Sequence, residues 1–579
     1  MMWKDFLERI RKNFPIRRGM LREVHRKRSR KEIEELLEEI PKFRVHEPEH
    51  LIVIPPTDDI RNVNVQYPLL EPYAYAHIKW SDAEGELIYR VVEPKLNEKE
   101  KRIYQKVVNA LVELVDVQLS TIKNPNQAME YVEEKIKEIL SEMEIDLSRT
   151  EFSKIMYYIY RNFVGLNRIE PLMHDSYIED ISCDGIEVPV YVVHKRFGSL
   201  QTNIVYRDEE ELRDFVVKLA ERAGRYISYA EPLLDGSLPD GTRVQATLAK
   251  DVTTRGPTFS LRKFTEEPFS PVDMIKLHTA SSEMMAYLWF LIENGVSLLI
   301  CGGVATGKTS LLNAISLFIP PEAKIISIED TRELNLPHDN WIPAVARLGF
   351  GTPTAAGTKY GEVRMFDLLK DSFRQNPDYV IIGEVRGEEA YVMFQGMASG
   401  HPSMGTMHAR GVKTVIKRLQ TPPIQLPPAL VEILDIVITM THAREKGKSA
   451  RRIESITEIV SVDPDTGDAK TNVVFEWLPR EDKFVRGKGN WVLQKISRGK
   501  GIRMSEIKKE LENREKVLEW LLKKGVTDWK SVAEIVGEYH RNPQSVMKRI
   551  GVRTSKKTSK KTKKSTASKK PKVHKSRKR

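Results

Sequence analysis

Cysteine is almost missing from this 579-residue chain, which has only Cys183 and Cys301. Two thiols cannot build a disulfide framework or a four-cysteine zinc site, so no zinc is expected. Cys301 closes an apolar run that reads as a buried strand, where a thiol is inert. Long hydrophobic runs are missing too. The best candidate, Met284 to Ile300, is interrupted by Glu293, Asn294 and Gly295, whereas a spanning helix needs about 20 apolar residues. No apolar stretch precedes the charges at the N-terminus, so no secretory signal is read there and the chain is expected in the cytoplasm. Acid is missing from the last stretch, Arg553 to Arg579, which holds 14 Lys/Arg. The whole chain carries +12, so the remainder is close to neutral.

What is present describes a soluble, multi-domain protein. Hydrophobic residues make up 40% and charged residues 30%, with a mean hydropathy of −0.41. The length suits three or four domains. The N-terminus places Trp3, Phe6, Leu7, Ile10 and Phe14 at helical spacing among basic residues, a basic amphipathic helix that either packs on its own domain or lies on a membrane or partner. Lys31 to Ile40 reads as helix, Pro41 to Pro56 as linker, Tyr75 to Val92 as strand and Asn97 to Met143 as helix. Glu151 to Phe264 has an α+β texture: a strand at Val188 to Val193, a helix at Glu209 to Ala223, and turns at Asp235-Gly236 and Asp240-Gly241. Near the C-terminus, Ser505 to Leu522 is an amphipathic helix, and Thr527 is positioned to cap another, Trp529 to Tyr539. These helices are either a docking module or an extension of the preceding domain. The tail from residue 551 is low in complexity and cannot bury a core, so it reads as disordered. It is either a solubilising appendage or an arm for weak binding of nucleic acid or acidic lipid.

Gly302, Gly303, Val304, Ala305, Thr306, Gly307, Lys308 and Thr309 fit G-x-x-x-x-G-K-[ST]. An apolar run, Val296 to Ile300, precedes them, and Ser310 opens a helix-like stretch to Phe318. This strand-turn-helix context makes the motif a P-loop. Its backbone N–H groups would cradle a polyphosphate with help from the helix N-terminus. Lys308 would reach the β/γ-phosphates of ATP, and Thr309 would offer its hydroxyl to Mg²⁺.

Further signals follow in the chain. Lys324 to Ile328 is a short apolar strand ending in Glu329-Asp330, and Tyr379 to Ile382 another ending in Gly383-Glu384. Carboxylates at the C-terminal ends of parallel strands lie where an α/β sheet places its ligand chemistry, although a lone acid there often only caps a helix. One acid would orient water and the other hold Mg²⁺ through its waters. In ASGHPSMGTMHA, His401 and His408 are separated by small residues. A histidine near the γ-phosphate can report its presence by a hydrogen bond, while many buried histidines are only structural.

The runs GLNRIEPLMHDSYIEDISCDG, EPLLDGSLPDGTRVQATL and GPTFSLRKF resemble the domain that precedes the motor in secretion ATPases of the type II/type IV superfamily. That superfamily includes pilus, archaellum and conjugation motors. IEDTREL resembles its aspartate box, NPDYVIIGEVRG its Walker B and ASGHPSMGTMHA its histidine box, and EDTRELNLPHDNWI looks like the archaeal branch. The likeness covers about residues 150 to 500. It implies that Arg243, Arg255 and Arg262 reach nucleotide across a subunit boundary. A planar, permanently charged guanidinium suits that task, though each arginine also suits a surface ion pair. It also implies that Glu329 positions water, Glu384 is the metal-side carboxylate and His408 senses phosphate, with the two acids open to exchange.

The resulting expectation is an α/β chain. An N-terminal mixed module covers 1–145, an α+β domain with the arginines 146–268, a RecA-like P-loop ATPase domain 269–500, a helical region 501–550 and a basic tail 551–579. Its work would be Mg²⁺-dependent ATP hydrolysis in a homohexameric ring at the inner face of the cell membrane. The ring would push a polytopic membrane platform protein during filament assembly or secretion. The chief alternative is a nucleic-acid motor of the same P-loop class, supported by the tail; a non-hydrolysing scaffold is disfavoured by the two retained acids.

Overall fold

Alternation of apolar and polar residues builds the first half of the molecule as one antiparallel-rich sheet. The computed structural model describes residues 42–48, 54, 59–114, 125–264, 267–347, 349, 359–445 and 448–551. The N-terminal amphipathic helix, the Lys31 to Ile40 helix and the basic tail lie outside the described residues. By contacts the chain forms two units, with residues 331–333 counted with the first.

In the first unit the strands are β1 (Asn64–Leu70), β2 (Ala74–Ser81), β3 (Glu86–Val92), β4 (Ile178–Cys183), β5 (Pro189–His194), β6 (Gly198–Val205), β7 (Leu233–Ser237), β8 (Arg243–Thr247) and β9 (Thr258–Arg262). They lie in the order β1-β2-β3-β6-β5-β4-β9-β8-β7. Among the described residues of this unit, only β3 and β6 pair in parallel. That pairing joins residues on both sides of the boundary expected at 145, so β1–β3 share a sheet and a hydrophobic core with β4–β9. The helices are α1 (Glu98–Leu114), α2 (Pro125–Glu142), α3 (Arg149–Ile159) and α4 (Glu209–Arg222). A capping box of Ser148 and Glu151 starts α3, satisfying amides that the first turn leaves open. Two expectations need correction. Tyr75 to Val92 is not one strand but a hairpin, turned at residues 82–85. Asp235-Gly236 is no turn: it sits inside the edge strand β7, where β8 alone pairs with it, and an edge tolerates glycine and charge better than a central strand.

The second unit is built on a sheet whose central strands are buried on both faces. Its strands are β10 (Leu298–Gly302), β11 (Ile325–Glu329), β12 (Trp341–Val345), β13 (Tyr379–Ile382), β14 (Ser403–His408), β15 (Ile436–Glu445), β16 (Lys448–Val462), β17 (Ala469–Leu478) and β18 (Lys483–Arg486). The order is β12-β11-β13-β14-β10-β15-β16-β17-β18. The first six run parallel and the last three extend the sheet antiparallel. Strand β10 shows why the central strands read as unbroken apolar runs. Leu298 and Ile300 enter one core, Leu299 and Cys301 the other, as a two-residue period between two helical layers requires. One layer includes α5 (Ser282–Glu293) and α6 (Lys308–Ser316); the other includes α7 (Met365–Arg374), α8 (Glu389–Ala398) and α9 (Val412–Gln420). Parallel strands crossed by helices on both faces, with the P-loop strand interior and β14 between it and β13, make this a RecA-like domain.

Helices α10 (Trp491–Lys500), α11 (Met504–Lys524), α12 (Trp529–Arg541) and α13 (Pro543–Arg549) follow. Leu511, Val517, Leu518, Leu521, Val532 and Val536 share the core that holds α5, so these helices are built into the second unit. Asp528, not Thr527, caps α12 by accepting from the Ser531 amide. Glu293, which interrupts the apolar run in the sequence, pairs with the buried Arg514 of α11 at 2.7 Å. The Arg514 guanidinium also lies 5.1 Å from the Trp289 ring and 5.7 Å from that of Tyr539. Removing one partner leaves the other charge poorly compensated. Arg514→Ala is therefore expected to cost about 3 kcal/mol of stability, seen as a lowered melting temperature; an unchanged melting temperature would show that this pair does not anchor α11.

Candidate active site

The P-loop connects β10 to α6, and its shape depends on small residues. A Cβ on Gly302 would lie 2.5 Å from Thr306 Oγ1 and 2.7 Å from the Met440 carbonyl oxygen. Gly307 caps α6 at φ 89°, a left-handed conformation that suits glycine. Thr306 Oγ1 donates to the Gly303 carbonyl at 3.0 Å, and Lys308 Nζ donates to the same oxygen at 2.9 Å. Val304 and Ala305 form the exposed apex, while Thr309 and Ser310 are half-buried in the first turn of α6.

Parallel register brings the remaining groups to this end of the sheet. Gly302 pairs with His408, so the end of β14 abuts the start of the loop. Lys308 Nζ lies 3.3 Å from His408 Nδ1, and His408 Nε2 lies 3.2 Å from Glu384 Oε1. The geometry fits a neutral imidazole that accepts from the ammonium and donates to the carboxylate. Burial and the Lys308 charge hold the His408 pKa below its ordinary value against the opposing pull of Glu384. Burial would push the Glu384 carboxyl up, but the Arg386 hydrogen bond and charge, with His408 and Lys308, outweigh it and lower its pKa. Arg386 donates to Glu384 Oε2 at 2.7 Å and to Asp330 Oδ2 at 3.2 Å. A polar chain thus runs Lys308, His408, Glu384, Arg386, Asp330 across the ends of four strands.

Glu329 is placed differently. It is 2% exposed, and its Oε1 accepts the Leu334 amide at 3.1 Å. Its Cγ packs where a Cβ on Gly383 would be, 3.0 Å away. His401 is not at this site. It precedes the opposite end of β14, where its ring is 3.1 Å from the Pro377 carbonyl and packs on Phe373. Seven residues of extended chain separate it from His408 by roughly 20 Å.

In the first unit the structure brings two of the three candidate arginines together. Arg243 and Arg262 are direct cross-strand partners on β8 and β9, so their side chains share a face. Like charges opposite one another are unfavourable. Here Asp235 meets Arg243 at 3.3 Å and Asp180 meets Arg262 at 2.9 Å. Arg255 is exposed in the β8–β9 connection, beyond the Thr247–Thr258 end of the hairpin, which alone is about 14 Å away at ordinary strand rise.

Sequence reading missed Arg386, Asp330 as its partner, and two residues beside the P-loop, His442 and Arg451. The first pair lay within quoted motifs, EVRG and IEDT; the second carried no local signal, because β15 and β16 reach the loop only through sheet order.

A P-loop at the end of an interior parallel strand, flanked by acid-tipped strands and a strand-end histidine, defines a P-loop nucleotide hydrolase. The chain belongs to the type II/IV secretion system protein family, whose model matches residues 167–469, and it is an ATPase of that family. A second model, PilB3-like, C-terminal, matches residues 481–555, the stretch containing α10 to α13. An uncharacterized protein of Methanocaldococcus jannaschii, MJ0900, is 34% identical over 551 residues, spanning 91% of this chain and 96% of its own length. The type IV secretion system protein PtlH of Bordetella pertussis is 32% identical over 276 residues, 42% of this chain and 79% of PtlH. Among solved structures, the Legionella pneumophila ATPase DotB is similar at 17% identity, with a TM-score of 0.37, over 48% of this chain and 77% of DotB.

Proposed function

We propose that the chain hydrolyses ATP with Mg²⁺ in a ring of identical subunits, a homohexamer, and turns hydrolysis into domain motion. The ring would act at the cytoplasmic face of the membrane on a polytopic platform protein, driving assembly of a pilus-like or archaellum filament or protein secretion. The observation that supports the catalytic part is the polar chain from Lys308 to Asp330, with two cations, a neutral imidazole and two acids at one end of the sheet.

The donor set fits Mg²⁺, which prefers hard oxygen ligands and retains waters. The Thr309 hydroxyl and the Glu384 carboxylate are such donors. When bound, the ion would neutralise charge on the β- and γ-phosphates. Backbone amides of residues 303–308 would hold the phosphates, with Lys308 turning from the Gly303 carbonyl toward them. Since Glu384 is the acid joined through His408 to Lys308, it is the one we place against water and metal. Glu329, buried behind Gly383, would keep the Gly383-Glu384 turn in place, where the family resemblance implied that it positions water. His408 would answer to phosphate, because pulling Lys308 away removes the charge on its Nδ1 side.

The ring is supported by Arg243 and Arg262. A paired-arginine ladder on an exposed face costs local stability, a pattern found where function demands it. Each would serve the P-loop of a neighbouring copy, with their acidic partners exchanged for phosphate. Mixing an Arg243→Ala/Arg262→Ala protein with Lys308→Ala protein tests this. Mixed rings contain some sites with an intact P-loop facing intact arginines, so partial ATPase activity is expected where each variant alone is inactive. Mixtures no more active than the sum of their parts would remove the shared-site reading.

A further inference from the structure

The antiparallel extension of the RecA-like sheet touches the P-loop at its apex. His442 on β15 and Arg451 on β16 are direct cross-strand partners. His442 Nε2 is 3.0 Å from the Val304 carbonyl oxygen, and Arg451 Nε donates to the Ala305 carbonyl at 3.4 Å. Two neighbouring residues of one hairpin thus hold two successive carbonyls of the loop. The stem of Arg451 also passes over Gly307, with its Cγ 3.9 Å from where a Cβ would stand and Met440 Cε at 3.8 Å.

The backbone explains why such a hold is needed. Ala305 has φ 57°, the left-handed region, which an L-residue with a Cβ adopts only against a steric penalty. At an exposed apex nothing in its own side chain compensates. With the Val304 and Ala305 carbonyls fixed toward the hairpin, the loop's amides stay turned inward, as a nest for phosphate requires.

We infer that His442 and Arg451 are positioning residues that clamp the P-loop apex in its phosphate-receiving shape. The inference rests on the reading of Gly302–Thr309 as the nucleotide site. Preorganisation acts on ground-state binding more than on the chemical step, which determines the expected split. In the full-length protein, His442→Ala and Arg451→Ala should each raise the Kd for ATP and KM by roughly three- to tenfold, the scale of one ordinary hydrogen bond. Their kcat should stay within about twofold of wild type. His442→Gln, which keeps a donor, should recover most of the affinity.

Ala305→Gly supplies the readout that a merely structural role would not move. Glycine is at home at positive φ, so in the Arg451→Ala background it should restore much of the lost affinity. Unchanged affinity in both alanine variants, a fall in kcat at constant KM, or no recovery with Ala305→Gly would each overturn the clamp. Lys308→Ala separates the two levels: if wild type binds ATP and Lys308→Ala does not, a neutral result at His442 and Arg451 sinks the clamp alone. If Lys308→Ala binds ATP like wild type, the nucleotide-site reading falls and the clamp falls with it.

Discussion

Lys308→Ala should reduce ATP hydrolysis by at least about 10²–10³-fold, the cost of removing a preorganised charge from a phosphoryl-transfer site. Two effects combine. The phosphates lose the cation fixed at the start of α6, and the loop loses the ammonium that donates to the Gly303 carbonyl and lies against His408 Nδ1. Without that neighbouring positive charge, His408 protonates more readily. Its lowered pKa derives from burial first and the Lys308 charge second. The variant should therefore bind ATP weakly as well as turn it over slowly. Steady-state phosphate release together with direct nucleotide binding measures both, and undiminished turnover would remove the P-loop assignment.

Glu384→Gln should lower kcat by about 10²–10⁴-fold, the usual contribution of a group that handles a proton in the transition state. Here KM should stay near the wild-type value. The amide is isosteric and its single oxygen can still accept from Arg386, so most of the ground-state arrangement is kept while the negative charge is gone. Such a protein should hold ATP without hydrolysing it, visible as nucleotide retained in single-turnover experiments. The ionised carboxylate is also the form favoured at neutral pH. Burial opposes it, but Arg386, His408 and Lys308 lower the Glu384 pKa, so the acid side of the kcat profile should lie below the ordinary carboxylate range. Glu329→Gln gives the contrast. A residue that supports the Gly383 turn from a buried position should lose stability along with activity. If Glu329→Gln abolished kcat at unchanged stability, Glu329 would hold the water-positioning role that the family resemblance implied, with Glu384 on the metal side alone.

The helices and strands most readable from sequence were those whose pattern is set locally. The strand Tyr379–Ile382 and the helix Glu209–Arg222 lie close to where apolar period and capping residues put them. The misreadings occurred where pairing partners decide. Asp235-Gly236 has turn chemistry, yet it lies in an edge strand because β8 is available to pair with it. Thr527 and Asp528 are both good caps, and only the helix's entry geometry selects Asp528.

By itself the sequence determined the P-loop, the acid-tipped strands and the likeness to secretion ATPases, because each depends on residues close together in the chain. A glycine-rich turn before a helix cradles phosphate wherever it occurs, and an apolar strand ending in an acid presents that acid at its end. Tertiary structure decided which distant residues meet those motifs. Sheet order put His408 beside Gly302 and left His401 at the far end of the same strand. It also set Arg243 against Arg262 and Arg255 apart from them, and brought His442 and Arg451 from the β15–β16 pair onto the loop apex. Those meetings depend on hydrogen-bond register between strands separated by up to about 150 residues in the chain, set by long-range pairing and burial, and no local spacing in the chain encodes them.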